Sequence, residues 1–156
     1  MVESSPSASS TPSSLEDPKI LAAAAYLLGG IGGYGFGYLS ASTVIGLLLP
    51  LGIYMWKKTD AFIAFHAFQA FLWTVVVAVV GFVLGTVLLA QTQAAYANPY
   101  AYAYGGGFGA TLGLIGIFSM VGLVILVVDL FLAYNAYKGD KFKLPVLGSM
   151  AEKPFL

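Results

Sequence analysis

The chain has 156 residues, no cysteine, a single histidine and few charged side chains. Charged residues make up 9% of the sequence and hydrophobic ones 59%, and seven basic and seven acidic residues leave no formal net charge. Without cysteine there is no disulfide, thiolate ligand or thiol nucleophile, and one histidine excludes a multi-histidine metal site within one chain. Zero net charge removes the field that attracts nucleic acid. We therefore expect no metal, no cofactor and no nucleic-acid partner.

Charge is scarcest between residues 61 and 137, where Asp129 is the one formally charged side chain. A water-soluble domain cannot be built from such a stretch, because its surface would also be apolar. The stretch is long enough to cross a bilayer twice, and only the uncharged segment 91–107 interrupts it. The sequence therefore predicts an integral membrane protein whose main partner is the lipid bilayer.

The first hydrophobic region, residues 20–56, follows a tail (residues 1–18) whose serine, proline and acidic residues predict disorder. The region is too long for one comfortable span and just long enough for two short helices. We predict helices over 20–34 and 42–56, with a tight connection at a glycine cluster and a kink or break at Pro50. A re-entrant pair of helices that never fully crosses the membrane is the alternative.

Two longer helices are predicted over residues 61–90, with Thr59 or Asp60 as the N-cap, and 108–137. The first would be about 45 Å long, so it must tilt or project beyond a hydrocarbon core of roughly 30 Å. The segment 91–107 is predicted as a tyrosine-rich interfacial loop, either a binding element or an idle connection. The fold class is thus an all-α polytopic bundle of four transmembrane helices, or two full spans plus a re-entrant or kinked N-terminal hairpin.

Lysines predict the orientation, because they flank the two longer helices on one side. The chain crosses the membrane twice between the two lysines before the third helix and the three lysines after the fourth, so both groups lie on the same side. The positive-inside rule makes that side cytoplasmic. Five of them are expected to contact lipid headgroups: Lys57, Lys58, Lys138, Lys141 and Lys143. We expect a four-helix domain over 19–148, a short cytoplasmic tail over 149–156, and both termini on the cytoplasmic side of a prokaryotic plasma membrane.

The third helix carries a polar stripe, because His66, Gln69 and Trp73 fall within about 60° of one another. Phe68 and Phe71 lie on the opposite side of the helix and are predicted to face lipid.

Asp129 is the ionisable residue inside the fourth helix, at about the same depth as Gln69, about 13 Å from the membrane edge. A hydrogen bond between Gln69 and Asp129, with His66 nearer the surface, is the simplest way to satisfy the acid. Such a residue costs about 2.5–3.5 kcal/mol at mid-helix and is either structural or part of a transport or proton-handling site. Since no second base, nucleophile or metal set accompanies His66 and Asp129, we predict no catalytic residue and no enzyme.

Small residues form two ridges suited to helix packing. They are Gly81 and Gly85 on the third helix and Gly109, Gly113 and Gly116 on the fourth. Gly85 and Gly113 lie at matching depth, so the outer halves of these helices can approach closely. The ridge on the fourth helix points away from Asp129 and Gly122. Either that helix packs on two partners within one bundle, or one ridge contacts a second copy or another membrane protein.

Two segments resemble a known family. The first is PLGIYMWKKTD (50–60) followed by FHAFQA (65–70), and the second is KGDKFKLPVLG (138–148) after the last helix. Together they resemble the Tic-twenty-like four-helix membrane proteins, a bacterial and archaeal group of unknown function. That group is similar to the channel-type component of the chloroplast inner-envelope import translocon. The resemblance covers residues 19–148 and implies four helices with both ends cytoplasmic, but no activity.

Two functions remain as hypotheses. The first is a non-enzymatic multi-pass scaffold or subunit of a membrane complex, which the small-residue ridges and the lack of a catalytic set favour. The second is a transporter or channel-like component for protein, solute or ion that acts as an oligomer. Asp129, Gln69, His66 and Pro50 motivate the second, since broken helices often line transport sites.

Overall fold

The computed structural model of the chain describes residues 17–33 and 41–152, and every regular element in these ranges is an α-helix. Residues 1–16 of the predicted disordered tail lie outside the described residues. The helices are α1 (Pro18–Gly33), α2 (Ala41–Trp56), α3 (Ala61–Ala97), α4 (Pro99–Tyr104), α5 (Gly107–Lys138) and α6 (Leu147–Glu152). The predicted all-α fold is therefore confirmed.

Two of these helices, α3 and α5, are long and apolar enough to cross a membrane, with 37 and 32 residues. The helix α2 is apolar but has only 16 residues, and α1 also has 16. Length and composition thus support a membrane bundle with two clear spans. The count of four spans stays a prediction.

The boundaries of α1, α2 and α5 lie within two residues of the predicted ones, but α3 is longer than predicted. It continues seven residues past 90, because alanine and glutamine in this segment favour helix. Asn98 ends it ahead of Pro99, and the Asn98 side chain then caps the short helix α4 by accepting from Ala101 N at 3.0 Å. The prediction of a loop over 91–107 was therefore wrong for most of its length.

Pro50 does not break α2, which runs without interruption from Ala41 to Trp56. The proline is buried against α1, where a Cβ atom placed on Gly29 would lie 3.3 Å from Pro50 Cγ. Packing against α1 holds the helix together although the proline removes one hydrogen-bond donor. Of the predicted kink or break, the break was wrong, and the kink stays a prediction.

The helices α1 and α3 each pack against the other three helices of the set α1, α2, α3 and α5, whereas α2 and α5 do not meet in the described residues. The core lies toward the lysine-bearing ends of the helices and is built from small side chains around Tyr26 and Leu132. Among the described residues, none of α3 beyond Gly85 and none of α5 before Phe118 is buried. The outer parts of the two long helices therefore extend beyond the packed core.

Phe68 does not face lipid, as the stripe on α3 had predicted, but is buried. Its ring lies 5.2 Å from the ring of Tyr54 on α2, and the half-buried Phe71 packs beside it at 6.0 Å. The physical reason is that α1 covers the polar side of α3 while α2 covers the opposite side at the same level.

Replacing Asp60 with alanine is expected to lower the free energy of unfolding by about 1 kcal/mol. Asp60, and not Thr59, is the N-cap of α3, and its Oδ1 accepts from Phe62 N at 2.9 Å and Ile63 N at 3.1 Å. Denaturant titration of the detergent-solubilised protein measures the change. Asp60→Asn keeps an acceptor oxygen and should be nearly neutral, so an equal loss in that variant would contradict the capping role.

Candidate functional site

Two adjacent glycines on α1 allow three helices to meet at one level. A Cβ atom placed on Gly29 would lie 2.5 Å from Thr74 Oγ1 of α3, and one placed on Gly30 would lie 2.6 Å from Asp129 Oδ2 of α5. Both distances are shorter than a carbon atom tolerates, so a side chain at either position would force Thr74 or Asp129 to shift. The pair therefore seats α1 between α3 and α5 beside the intramembrane acid.

Asp129 is buried, with 3% of its surface exposed, and it bonds to Trp73. The indole Nε1 of Trp73 donates to Asp129 Oδ1 at 2.7 Å, while Oδ2 has no partner among the described residues. The predicted bond between Gln69 and Asp129 was therefore wrong. Trp73 lies one helical turn further along α3, and its side chain faces Asp129. The side chain of Gln69 faces α1 and the segment that follows α5.

The Gln69 side chain is fully buried and holds the segment that follows α5. Its Nε2 donates to Tyr26 Oη at 2.9 Å and to the carbonyl of Phe142 at 3.1 Å, and its Oε1 accepts from Leu144 N at 3.3 Å. The two groups that Gln69 binds are thus a carbonyl and the amide two residues later. A residue in a parallel β-sheet binds the neighbouring strand through the same pair of backbone groups. Because both partners are backbone groups, they also determine which end of the amide is oxygen.

Tyr26 connects Gln69 to His66. Its hydroxyl lies 3.1 Å from His66 Nδ1. Since Gln69 Nε2 can only donate, the phenolic proton has His66 Nδ1 as its acceptor, and we infer that the imidazole carries its own proton on Nε2. That nitrogen is buried, and the ring also interacts with the backbone of Asp140 in the segment that follows α5.

The segment after α5, residues 139–146, is named here the strap. It begins at Gly139, whose φ of 93° favours glycine, and it turns back so that the ring of Phe142 lies 5.0 Å from that of Phe131 on α5. A Cβ atom placed on Gly148 would lie 3.0 Å from Gln69 Oε1, which brings α6 onto α3. An ion pair of 2.7 Å between Lys143 and Glu152 joins the strap to α6.

The strap and the three side chains that face it, Tyr26, His66 and Gln69, are named here the clasp. It joins segments 65–70 and 138–148, which both carried the family resemblance. Tyr26 was missed, although a single hydroxyl in an otherwise apolar stretch of α1 is a signal that a buried partner exists. The predicted cluster is thus two sites, with His66 and Gln69 in the clasp and Asp129 beside Trp73.

The two glycine ridges have different surroundings. Gly81 and Gly85 on α3 are buried. Gly109, Gly113 and Gly116 on α5 are exposed, and in the described part of the chain no atom comes within 4 Å of a Cβ placed on any of them. The close approach predicted between Gly85 and Gly113 is therefore not formed there. Gly122 and Asp129 are both buried, as expected for the other face of α5.

The lysines expected to contact headgroups surround the clasp end of the bundle. Lys58, Lys138 and Lys141 are exposed, and the ammonium of the half-buried Lys57 lies 4.4 Å from the centre of the Trp56 ring. Lys143 is also exposed. Among the described residues there is no group of three or more histidine, cysteine, aspartate or glutamate side chains placed to hold a metal ion.

Comparison with known proteins identifies the family. The model of the magnetosome magnetite crystal formation protein family, MamF_MmsF, matches residues 17–151. The chain belongs to this family. It is also similar to the UPF0132 membrane protein MJ1443 of Methanocaldococcus jannaschii, with 27% identity over 110 residues, which are 70% of the chain and 78% of that relative. No solved structure matches. Both findings indicate a small membrane protein family, and neither supports the resemblance to the Tic-twenty-like proteins.

Tyr26→Phe is expected to lower the free energy of unfolding by about 1–3 kcal/mol, because it leaves His66 Nδ1 without its donor and Gln69 Nε2 without one acceptor. Nitrogen NMR of the imidazole measures the local effect. The wild-type spectrum should show one protonated nitrogen, Nε2, and the variant should show a mixture of tautomers. The exposed Tyr134 offers a matched control, since Tyr134→Phe should change neither observable. A wild-type ring protonated on Nδ1 would contradict the assignment.

Proposed function

We propose that the protein is a non-enzymatic multi-pass membrane protein that serves as a scaffold or subunit of a membrane complex. The proposal rests on the hydrogen bonds that the buried polar side chains make between helices. Gln69 and Tyr26 bond across helices and to the strap, and Trp73 bonds to Asp129. These contacts hold elements together, which suits a rigid building block.

The exposed ridge on α5 supports association with another membrane protein or with a second copy. Glycines spaced three and four residues apart let a neighbouring helix approach closely, and on this face the described chain offers no helix of its own. The description of the family concerns magnetite crystal formation in magnetosomes. It supports magnetite crystal formation as the process in which this chain acts.

The orientation proposed is the one that the lysines indicate, with both termini on the cytoplasmic side of a prokaryotic plasma membrane. Exposed lysines around the clasp would then lie among the cytoplasmic headgroups, where each contributes about 1 kcal/mol of attraction to anionic lipid.

Affinity purification from native membranes, followed by crosslinking and native electrophoresis, tests the proposal. We expect a complex larger than one chain, and we expect Gly113→Leu to dissociate it. Gly52→Leu is the matched control, because Gly52 is an exposed helical glycine on α2 with nothing within 4 Å of an added Cβ. A lone monomer in native membranes would refute the scaffold role.

A transporter or channel-like component acting as an oligomer is the second candidate, and one observation favours it. Asp129 Oδ2 is buried in the bundle without a partner in the described residues, and such carboxylates often mark ion or proton pathways. Proteoliposomes loaded with a pH-sensitive or ion-sensitive dye test this candidate. Flux that disappears in Asp129→Asn supports transport, whereas the absence of flux in the wild-type protein removes it.

A further inference from the structure

The strap marks the lysine-side face of the bilayer. Phe142 packs on Phe131, about 10 Å back along α5 from its last residue, and the strap reaches Gln69 on α3. Beside it, Lys143 and Glu152 form an ion pair whose side chains are about half exposed. A solvated ion pair is excluded from the hydrocarbon, so the apolar core of the bilayer begins beyond Gln69.

The tyrosines mark the opposite boundary. Tyr96 in the last turn of α3 and Tyr100 and Tyr104 on α4 are each at least 80% exposed. Tyr96 is 27 residues beyond Gln69, which is about 40 Å of helix. That length equals a bilayer including its headgroup layers, and exposed tyrosines are typical of the interface. The strap and the tyrosines therefore fit the two faces of one bilayer without a strong tilt.

The register of α1 and α2 against α3 shows how deeply they enter. Gly29 lies close to both Pro50 and Thr74, so the three residues lie at about one level. From this level α1 ends four residues on, at Gly33, and α2 begins nine residues before Pro50, which is about 13 Å. The helical parts of this hairpin therefore reach only as far as Val83 on α3, about 21 Å beyond Gln69 and close to the bilayer centre.

We propose that α1 and α2 form a hairpin that enters and leaves the bilayer from the lysine side, and that lipid acyl chains occupy the space beside α3 and α5 from the level of Val77 to the outer surface. The burial pattern agrees with this arrangement, since in the described residues no side chain of α3 beyond Gly85 or of α5 before Phe118 is buried. The hairpin thus packs four helices in one leaflet and leaves two in the other.

Two open apolar clefts flank the contact between α3 and α5, and they are where the acyl chains lie. One has a volume of about 450 Å³ and is bordered by Val77 and Val80 on α3 and by Ile117 and Met120 on α5. The other, of about 510 Å³, lies beside Leu88. Both are continuous with the lipid-facing surface of the long helices, and neither is bordered by a charged side chain.

Single-cysteine labelling tests the hairpin directly, because the chain has no native cysteine. Ala41→Cys is compared in oriented proteoliposomes with Tyr100→Cys and Lys58→Cys as references for the two surfaces. Spin-label depth, from the ratio of oxygen to nickel-chelate collisions, should place the Ala41→Cys label near the bilayer centre, together with that of Val83→Cys. A membrane-impermeant maleimide should react with Tyr100→Cys from one side and Lys58→Cys from the other, and at least tenfold more slowly with Ala41→Cys from either side.

Rapid labelling of Ala41→Cys from the side that labels Tyr100→Cys would overturn the hairpin, because it would show four complete spans. A spin label at Met120→Cys tests the occupant of the first cleft. A mobile, oxygen-accessible label supports lipid, whereas an immobilised label with dipolar broadening would show a second copy in the cleft and overturn the lipid assignment. Circular dichroism and monodispersity of each variant exclude misfolding as the cause.

Discussion

Replacing Gly30 with leucine is expected to force α1 away from α5 and to lower the free energy of unfolding by about 3 kcal/mol or more. Even the first carbon of a side chain would lie 2.6 Å from Asp129 Oδ2, and the neighbouring Gly29 is just as close to Thr74. Asp129 is also tied to Trp73, so it cannot simply rotate away. Denaturant titration in detergent micelles, followed by circular dichroism and tryptophan fluorescence, measures the loss.

Two comparisons show whether contact with Asp129 is the cause. Gly52→Leu adds the same side chain to an exposed helical glycine with open space around it, so it should change the free energy of unfolding by less than about 0.5 kcal/mol. Gly30→Ala should cost about 1–3 kcal/mol, and combining it with Asp129→Ala should recover part of that loss. Strictly additive effects in this double-mutant cycle would mean that the two residues do not interact.

Local chemistry determines the helix ends, and these were predicted well from the sequence. Asp60 caps α3, and the glycine at position 139 ends α5 in a left-handed conformation after the lysine-bearing last turn. The far end of α3 was missed, because the tyrosine-rich composition of residues 91–107 suggested a loop. Its alanines and glutamines favour helix, and the helix is interrupted first at Asn98 and the following proline and then at Gly105 and Gly106.

The partner of Asp129 could not be predicted, because depth along a helix does not determine which way a side chain points. Gln69 and Asp129 were placed at similar depth, but α1 lies between their helices and decides which residues face each other. The glycine pair at 29 and 30 makes this position of α1 possible. In the sequence those glycines indicated only a weak helix near a connection. Glycine is typical both of turns and of close contacts between helices, so composition does not distinguish the two.

The clasp was visible in the sequence only as two separate motifs. His66 and Gln69 stood out as polar residues on an apolar helix, and the segment after the last helix stood out through the resemblance. What joins them is hydrogen bonding to the carbonyl of Phe142 and the amide of Leu144. Backbone groups are the same at every residue, so no side-chain pattern indicates which of them a buried amide will bind.

Gln69→Leu is expected to release the strap while leaving the transmembrane helices folded. The leucine has a similar volume but leaves the carbonyl of Phe142 and the amide of Leu144 without their partner, at a cost of about 2 kcal/mol, or about a 30-fold change in the equilibrium between closed and open strap. Limited trypsin digestion in nanodiscs measures this change, because Lys141 and Lys143 lie in the strap.

Gln93→Leu makes the same replacement at an exposed position of α3, and its cleavage rate should match that of the wild-type protein. If the strap of Gln69→Leu were cleaved no faster than that of Gln93→Leu, the strap would be held by Phe142 packing and the Lys143–Glu152 ion pair, and the clasp would not depend on the buried amide.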